Sequence, residues 1–180
     1  MLSFYLTLLD TPEEKRSFEQ LYLSYRQDMY AVAYSILHNS YDAEDAVHQA
    51  FLAIANNFKK ISSIPCQEIK GYIVIIIRNT SINIYNSNKR RSERSSDFDD
   101  CGVSVEVDFF ERFEVEELKN AISRLPQIYK DIIYLHFLEE FTVREISKML
   151  GISKEAVWKR IERAKKLLKS ILEEGKAYGE

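Results

Sequence analysis

The chain has 180 residues, 46% of them hydrophobic, with only five Gly and three Pro. That length supports one domain or two small ones, and the apolar share excludes wholesale disorder. The scarcity of turn formers argues against an all-β fold, which needs a turn signal every 8–12 residues or so. The longest aliphatic run, Ile73 to Ile77, falls far short of the roughly 20 residues that cross a bilayer. The N-terminus, MLSFYLTLLDTPEEK, has no basic n-region and no small-residue cleavage site, so no secretory leader is expected. Cys66 and Cys101 form no CxxC and have no nearby His. A disulfide framework or zinc site is not expected, and the default is a reduced, cytoplasmic protein without a metal or other cofactor.

The net charge of −3 hides strong segregation. Residues 70–91 carry five bases and no acids, residues 92–117 carry a net −8, and residues 142–172 carry a net +6. Two cationic blocks on either side of an anionic connector suit two contacts with a polyanion.

Thr11-Pro12-Glu13-Glu14 reads as a helix start, with Thr11 as cap, Pro12 in the first turn and Glu14 closing a capping box. Phe18, Leu21, Tyr22, Tyr25, Met29, Val32, Ala33 and Ile36 then recur at helical spacing. His38-Asn39-Ser40 interrupts, and Ser40 or Asp42 is expected to cap the next helix. Its stripe is Ala43, Ala46, Val47, Ala50, Phe51, Ile54, Ala55 and Phe58, the cleanest periodicity in the chain. Residues 59–67 read as a loop around Pro65. Ile69, Tyr72, Ile73, Ile76, Ile77, Thr80 and Ile84 continue as a helix. By composition alone Tyr72 to Ile77 also suits a buried strand. Residues 87–113 lose periodicity and read as a linker whose apolar residues dock on something.

The second half predicts four helices. The first carries Val115, Leu118, Ala121 and Ile122. The next opens at Pro126 with Ile128, Ile132, Ile133 and Leu135. Thr142 and Glu145 form a second capping box before Ile146, Met149 and Leu150. Gly151 suits a left-handed turn, and Ser153 caps a last helix whose inner face is Val157, Ile161, Ala164, Leu168 and Leu172. Helix, Gly, Ile, Ser, helix is the spacing of a helix-turn-helix. The outer face of its second helix holds Lys154, Glu155, Trp158, Lys159, Glu162, Arg163 and Lys166, with Arg160 flanking it. Arg and Lys on such a face reach guanine edges or phosphates in a major groove.

These segments resemble a known family. LPQIYKDIIYLHFLEEFTVREISKMLGISKEAVWKRIERAKKLL looks like the −35-reading domain of sigma-70 family RNA polymerase sigma factors. YDAEDAVHQAFLAIANNF looks like the polymerase-binding helix of the N-terminal sigma domain, and GYIVIIIRNTSINIYNSNKRR is similar to the helix after it, which opens the −10 element. Two such domains with nothing before or after resemble the extracytoplasmic-function (ECF) group. The chain departs from the pattern at Tyr72, where Trp is usual, at the apolar Ile75–Ile77, at His48-Gln49, where Gln-Glu is common, and at Trp158.

The resemblance implies an all-α fold of two small helical domains joined by an acidic flexible linker: region 2 over 11–91, linker over 92–113, region 4 over 114–174. It implies no enzyme, but a specificity subunit for core RNA polymerase at promoter DNA, monomeric when free and not inserted in a membrane. An anti-sigma protein often holds members of the group inactive through the same docking face. Asp45, His48, Gln49 and Leu52 would face the polymerase. For the −10 element, Tyr72 and Tyr85 offer stacking surfaces, Asn79, Thr80, Asn83 and Asn86 hydrogen bonds, and Lys59, Lys60, Arg78, Lys89, Arg90 and Arg91 phosphate contacts. The loop 59–67 would cap a flipped base. The acidic linker would mimic nucleic acid in a polymerase channel and repel free DNA. The competing reading is a stand-alone helix-turn-helix regulator, which usually dimerises on two half-sites. An enzyme is disfavoured, since the chain has no P-loop, GxGxxG, GxSxG or HExxH, and His38, His48 and His136 fall in separate segments.

Overall fold

The structure is a computed structural model that describes residues 1–66, 68–92 and 116–177. All regular structure among the described residues is helical, and it divides between two compact units. The acidic linker of the sequence analysis lies almost wholly outside the described residues.

The first unit holds α1 (Leu2–Leu6), α2 (Pro12–Leu37), α3 (Ser40–Asn56), α4 (Phe58–Ile61) and α5 (Ile69–Ser92). The capping box forms at the start of α2: the Glu14 amide donates to Thr11 Oγ1 at 3.1 Å, and the Thr11 amide donates back to Glu14 Oε2 at 3.0 Å. α2 ends where His38 turns left-handed at φ 50°. The cap of α3 differs from the expectation. Neither Ser40 nor Asp42 serves; Asn39 Oδ1 accepts from the Tyr41 and Asp42 amides at 2.9 and 3.1 Å. An Asn at the break already has extended backbone at φ −138°, so its short side chain reaches the free amides first. Seven residues of the α3 stripe, from Ala43 to Ala55, are buried, and Phe58 is buried at the start of α4. α3 packs against both α2 and α5.

α5 settles the ambiguity between helix and strand. Residues 71–80 are helical and buried on every face. Burial all round outweighs the modest helix penalty of β-branched Ile and Val. Two of its buried polar side chains bond within the helix: Asn79 donates to the Ile75 carbonyl at 2.9 Å and Ser81 to the Ile77 carbonyl at 2.8 Å. The segment read as loop 59–67 begins with helix, since α4 runs to Ile61; Gln67 is outside the described residues.

α1 was not visible in the periodicity. Its Tyr5 is 1% exposed and sits among the rings of Phe18, Tyr22 and Phe51, with centroids 5.8, 5.9 and 5.8 Å away. Aromatic pairs at 4.5–7 Å add about 0.5–1.5 kcal/mol beyond area burial, so this cluster ties the N-terminus to α2 and α3.

Beyond α5 come α6 (Glu116–Ser123), α7 (Gln127–Ile133), α8 (Val143–Leu150) and α9 (Lys154–Ala177), which belong to the second unit save for Met149 and Leu150. Pro126 precedes α7 as expected. α7 does not end as an ordinary α-helix but widens into a π-helical turn over Tyr134–Leu138. There His136 is half-buried with Nδ1 2.9 Å from the Phe141 carbonyl, and Glu140 is left-handed at φ 54°. α6 and α7 both pack on α9.

Candidate nucleic-acid interface

The start of α8 is fixed by its own capping box. The Thr142 amide donates to Glu145 Oε2 at 2.7 Å, and the Glu145 amide to Thr142 Oγ1 at 3.3 Å. The turn after it needs a left-handed residue, and Gly151 supplies φ 62°. Ser147 straddles the turn: its hydroxyl donates to the Ile152 carbonyl at 2.7 Å, and its carbonyl accepts from the Ile152 amide at 3.2 Å. Ser153 then caps α9, its Oγ accepting from the Ala156 amide at 3.1 Å. Ile146, Val157, Ile161 and Ala164 are buried to 1% exposure or less, whereas Ile152 is only half-covered. Two capped helices, one glycine turn and a shared apolar stripe hold α9 with its opposite face outward.

That outward face carries Lys154, Glu155, Trp158, Lys159, Glu162, Arg163 and Lys166, all exposed. Trp158 is 54% exposed. Glu155 is turned back on the helix start. Its carboxyl is held below the usual range by the backbone amide there and by Ser153, with Lys154 and Lys159 adding to the effect. It serves the helix terminus as well as the face.

Arg160 stands apart from its neighbours. It is half-buried, and burial lowers its pKa against the opposing charge of Asp131 and the nearby Tyr129. Asp131 is 2% exposed and accepts from Gln127 Nε2 at 3.1 Å. The position flanking the recognition face therefore ties α9 to α7.

The first unit sorts its candidates differently. Tyr72, Arg78, Asn79 and Thr80 are buried, at 0, 3, 5 and 6% exposure. They fall in the stretch of α5 from residue 71 to residue 80 that is buried throughout. Farther along α5, Tyr85 is exposed and Asn83, Asn86 and Lys89 are half-exposed. The side chains of Arg90 and Arg91 lie outside the described part of the chain. Lys59 is exposed and bonded to Asp10 at 2.7 Å, and Lys60 is half-exposed. At 76 and 70% side-chain exposure this ion pair adds little stability.

On α3, Asp45 and Gln49 are exposed and joined by a Gln49 Nε2 to Asp45 Oδ2 bond of 2.9 Å. His48 and Leu52 are half-buried beside them. The Tyr5 hydroxyl lies 2.7 Å from His48 Nδ1, a contact from α1 that sequence patterning did not indicate.

No group of three or more His, Cys, Asp or Glu among the described residues is placed to hold a metal. Among the same residues no helix is long and apolar enough to cross a membrane.

Comparison with protein families decides the class. Residues 21–91 match the sigma-70 region 2 model and residues 115–168 the sigma-70 region 4 model. The chain belongs to the sigma-70 family. Within it the chain is similar to RNA polymerase sigma factor SigV of Bacillus subtilis, 26% identical over 81% of this chain and 84% of that protein. SigZ of the same organism is 32% identical over 59% of this chain and 60% of its own length. The ECF RNA polymerase sigma factor SigM, again from B. subtilis, is 24% identical over 87% and 96%. The chain is an ECF-type sigma factor, a transcription initiation factor and not an enzyme. The expected all-α, two-domain class agrees with these matches and with the helices described above.

Proposed function

We propose that the two units of this sigma factor divide its work. The first, proposed to span 11–91, docks on core RNA polymerase through Asp45, His48, Gln49 and Leu52. It engages the −10 element through the exposed end of α5: Tyr85 as a stacking surface, Asn83 and Asn86 as base-edge partners, and Lys89, Arg90 and Arg91 on phosphates. Lys59 and Lys60 supply charge beside the segment 59–67. The second unit, over 114–174, reads the −35 element through Lys154, Trp158, Lys159, Arg163 and Lys166. The segment 92–113 links them. The protein works in the cytoplasm, where its polymerase is, and the docking face of α3 is the surface an anti-sigma protein would cover.

The observation that carries this reading is α9. One face is sealed in the core, and the other presents four cations and an indole from a helix whose start is fixed by Gly151 and Ser153. Long cations on a rigid exposed helix suit the major groove. The test is promoter binding by the protein with and without core polymerase. Sequence-specific retardation that requires core polymerase supports the reading. Equal sequence-specific binding by the free protein overturns it in favour of a stand-alone regulator.

A further inference from the structure

On the proposed polymerase-binding face, Asp45 and Gln49 bond to each other within α3. His48 is held from outside, by a residue of α1. The α1 helix also lies outside residues 21–91, the stretch matched to region 2.

An imidazole on a half-exposed helix position rotates freely about its side-chain bonds and exchanges its proton between two nitrogens. Neither freedom is left to His48. The Tyr5 hydroxyl stands 2.7 Å from Nδ1, and the two rings lie 5.5 Å apart, tilted by 39°. Tyr5 cannot follow a moving partner, because it is 1% exposed and wedged among Phe18, Tyr22 and Phe51. Burial also pushes its hydroxyl up to about 12, with Tyr22 adding to the rise, so it keeps its proton at any physiological pH. Both residues line a cavity of about 350 Å³ with Tyr22, Arg26, Tyr30 and Glu44, so a partner's side chain has room to reach the pair.

We propose that Tyr5 is a positioning residue for polymerase docking: its hydroxyl donates to His48 Nδ1, fixing the tautomer with hydrogen on Nε2 and fixing the ring's direction. His48 then presents one oriented N–H donor to an acceptor on the polymerase. The proposal rests on the reading of α3 as the docking face. The same logic governs imidazoles whose second nitrogen is held by a buried partner, where the partner sets which nitrogen carries the proton.

The experiment measures affinity of full-length protein for purified core polymerase. It compares the wild type with Tyr5→Phe, His48→Gln, the double variant, and the separate variants His48→Ala, Asp45→Ala and Leu52→Ala. Imidazole nitrogen NMR of the free protein reads the His48 tautomer. Tyr5→Phe keeps the ring and its packing but removes the hydroxyl. It is expected to weaken docking by about 2- to 10-fold, the range of one neutral hydrogen bond. His48 should then shift from a single Nε2–H tautomer to a mixture. A Gln amide nitrogen sits near the place of Nε2 and needs no tautomer. Whatever His48→Gln costs by itself, adding Tyr5→Phe to it should cost nothing more. Unchanged affinity or an unchanged tautomer in Tyr5→Phe overturns the proposal, as does an equal loss in the Gln background, which would mark Tyr5 as merely structural. If Asp45→Ala, His48→Ala and Leu52→Ala all leave affinity unchanged, the α3 reading itself falls. If they weaken docking while Tyr5→Phe does not, only the Tyr5 proposal falls.

Discussion

Arg160 and Arg163 stand three residues apart on α9, and the structure assigns them different consequences. The Arg160 guanidinium is half-buried in the field of Asp131, a carboxylate at 2% exposure that accepts from the Gln127 amide at 3.1 Å. Arg160→Ala takes an opposing positive charge away from that buried carboxylate. Removing one partner of a fully buried pair costs about 3–5 kcal/mol. Gln127 still donates and Arg160 is only partly covered, so the expected loss is about 2–3 kcal/mol. Arg163 is exposed, so Arg163→Ala should leave stability within about 0.5 kcal/mol. Its effect appears on DNA instead: about 1–3 kcal/mol off promoter affinity if it contacts a base, or a salt slope shallower by about one if it holds a phosphate. Urea unfolding followed by tryptophan fluorescence separates the two, since Trp158 is the only Trp and belongs to the second unit. Promoter affinity of the reconstituted holoenzyme supplies the other axis. The assignment is refuted if Arg160→Ala keeps full stability and loses promoter affinity, or if Arg163→Ala unfolds the unit.

Gly151→Ala forces a side chain into φ 62° and should cost about 1–2 kcal/mol, read by the same urea curves. Phe51→Ala removes a fully buried ring that touches Tyr5, Phe18 and Tyr22, and the first unit should lose about 3–5 kcal/mol by circular dichroism on denaturation. The hydroxyl of Tyr5 titrates near 12 in the folded chain against about 10 unfolded, so folding favours its neutral form. That contribution is fully present below pH 10 and is lost as pH rises toward 12; Tyr5→Phe should flatten this part of the alkaline stability curve. Replacing Asp97, Asp99, Asp100, Glu106 and Asp108 with their amides should strengthen binding of the free protein to DNA, measured by retardation without polymerase, and unchanged affinity would count against the repulsive role of the linker.

Local grammar carried the parts of this fold that could be read in advance. The two Thr–Glu boxes, the left-handed Gly151 and the α3 stripe each depend on residues within a turn or two of one another, and spacing alone exposes them. What escaped depends on distant partners. α1 is five residues long, too short for a period, and Tyr5 is buried only because α2 and α3 arrive beside it. Arg160 looks like one more cation on a basic helix until Asp131, on α7, comes within its field. Tyr72, Arg78, Asn79 and Thr80 carry the chemistry of a DNA contact and yet are buried, as is every residue of α5 from 71 to 80. The π-helical turn after Ile133 has no periodic signature distinct from the α-helix it interrupts. The exposed face of α9 was legible because helix-turn-helix spacing fixes which side is buried. The −10 candidates were less so, since an apolar helix does not announce which of its polar residues stays outside.

The central claim is that this chain tells core RNA polymerase where to begin. Run-off transcription with purified core polymerase, on a promoter library and with the protein added or withheld, addresses it directly. The account predicts start sites that appear only with the protein, lie downstream of two shared sequence elements, and fade when Lys159 or Arg163 is replaced by Ala. Initiation unchanged by the protein, with no co-elution of protein and polymerase, would contradict it.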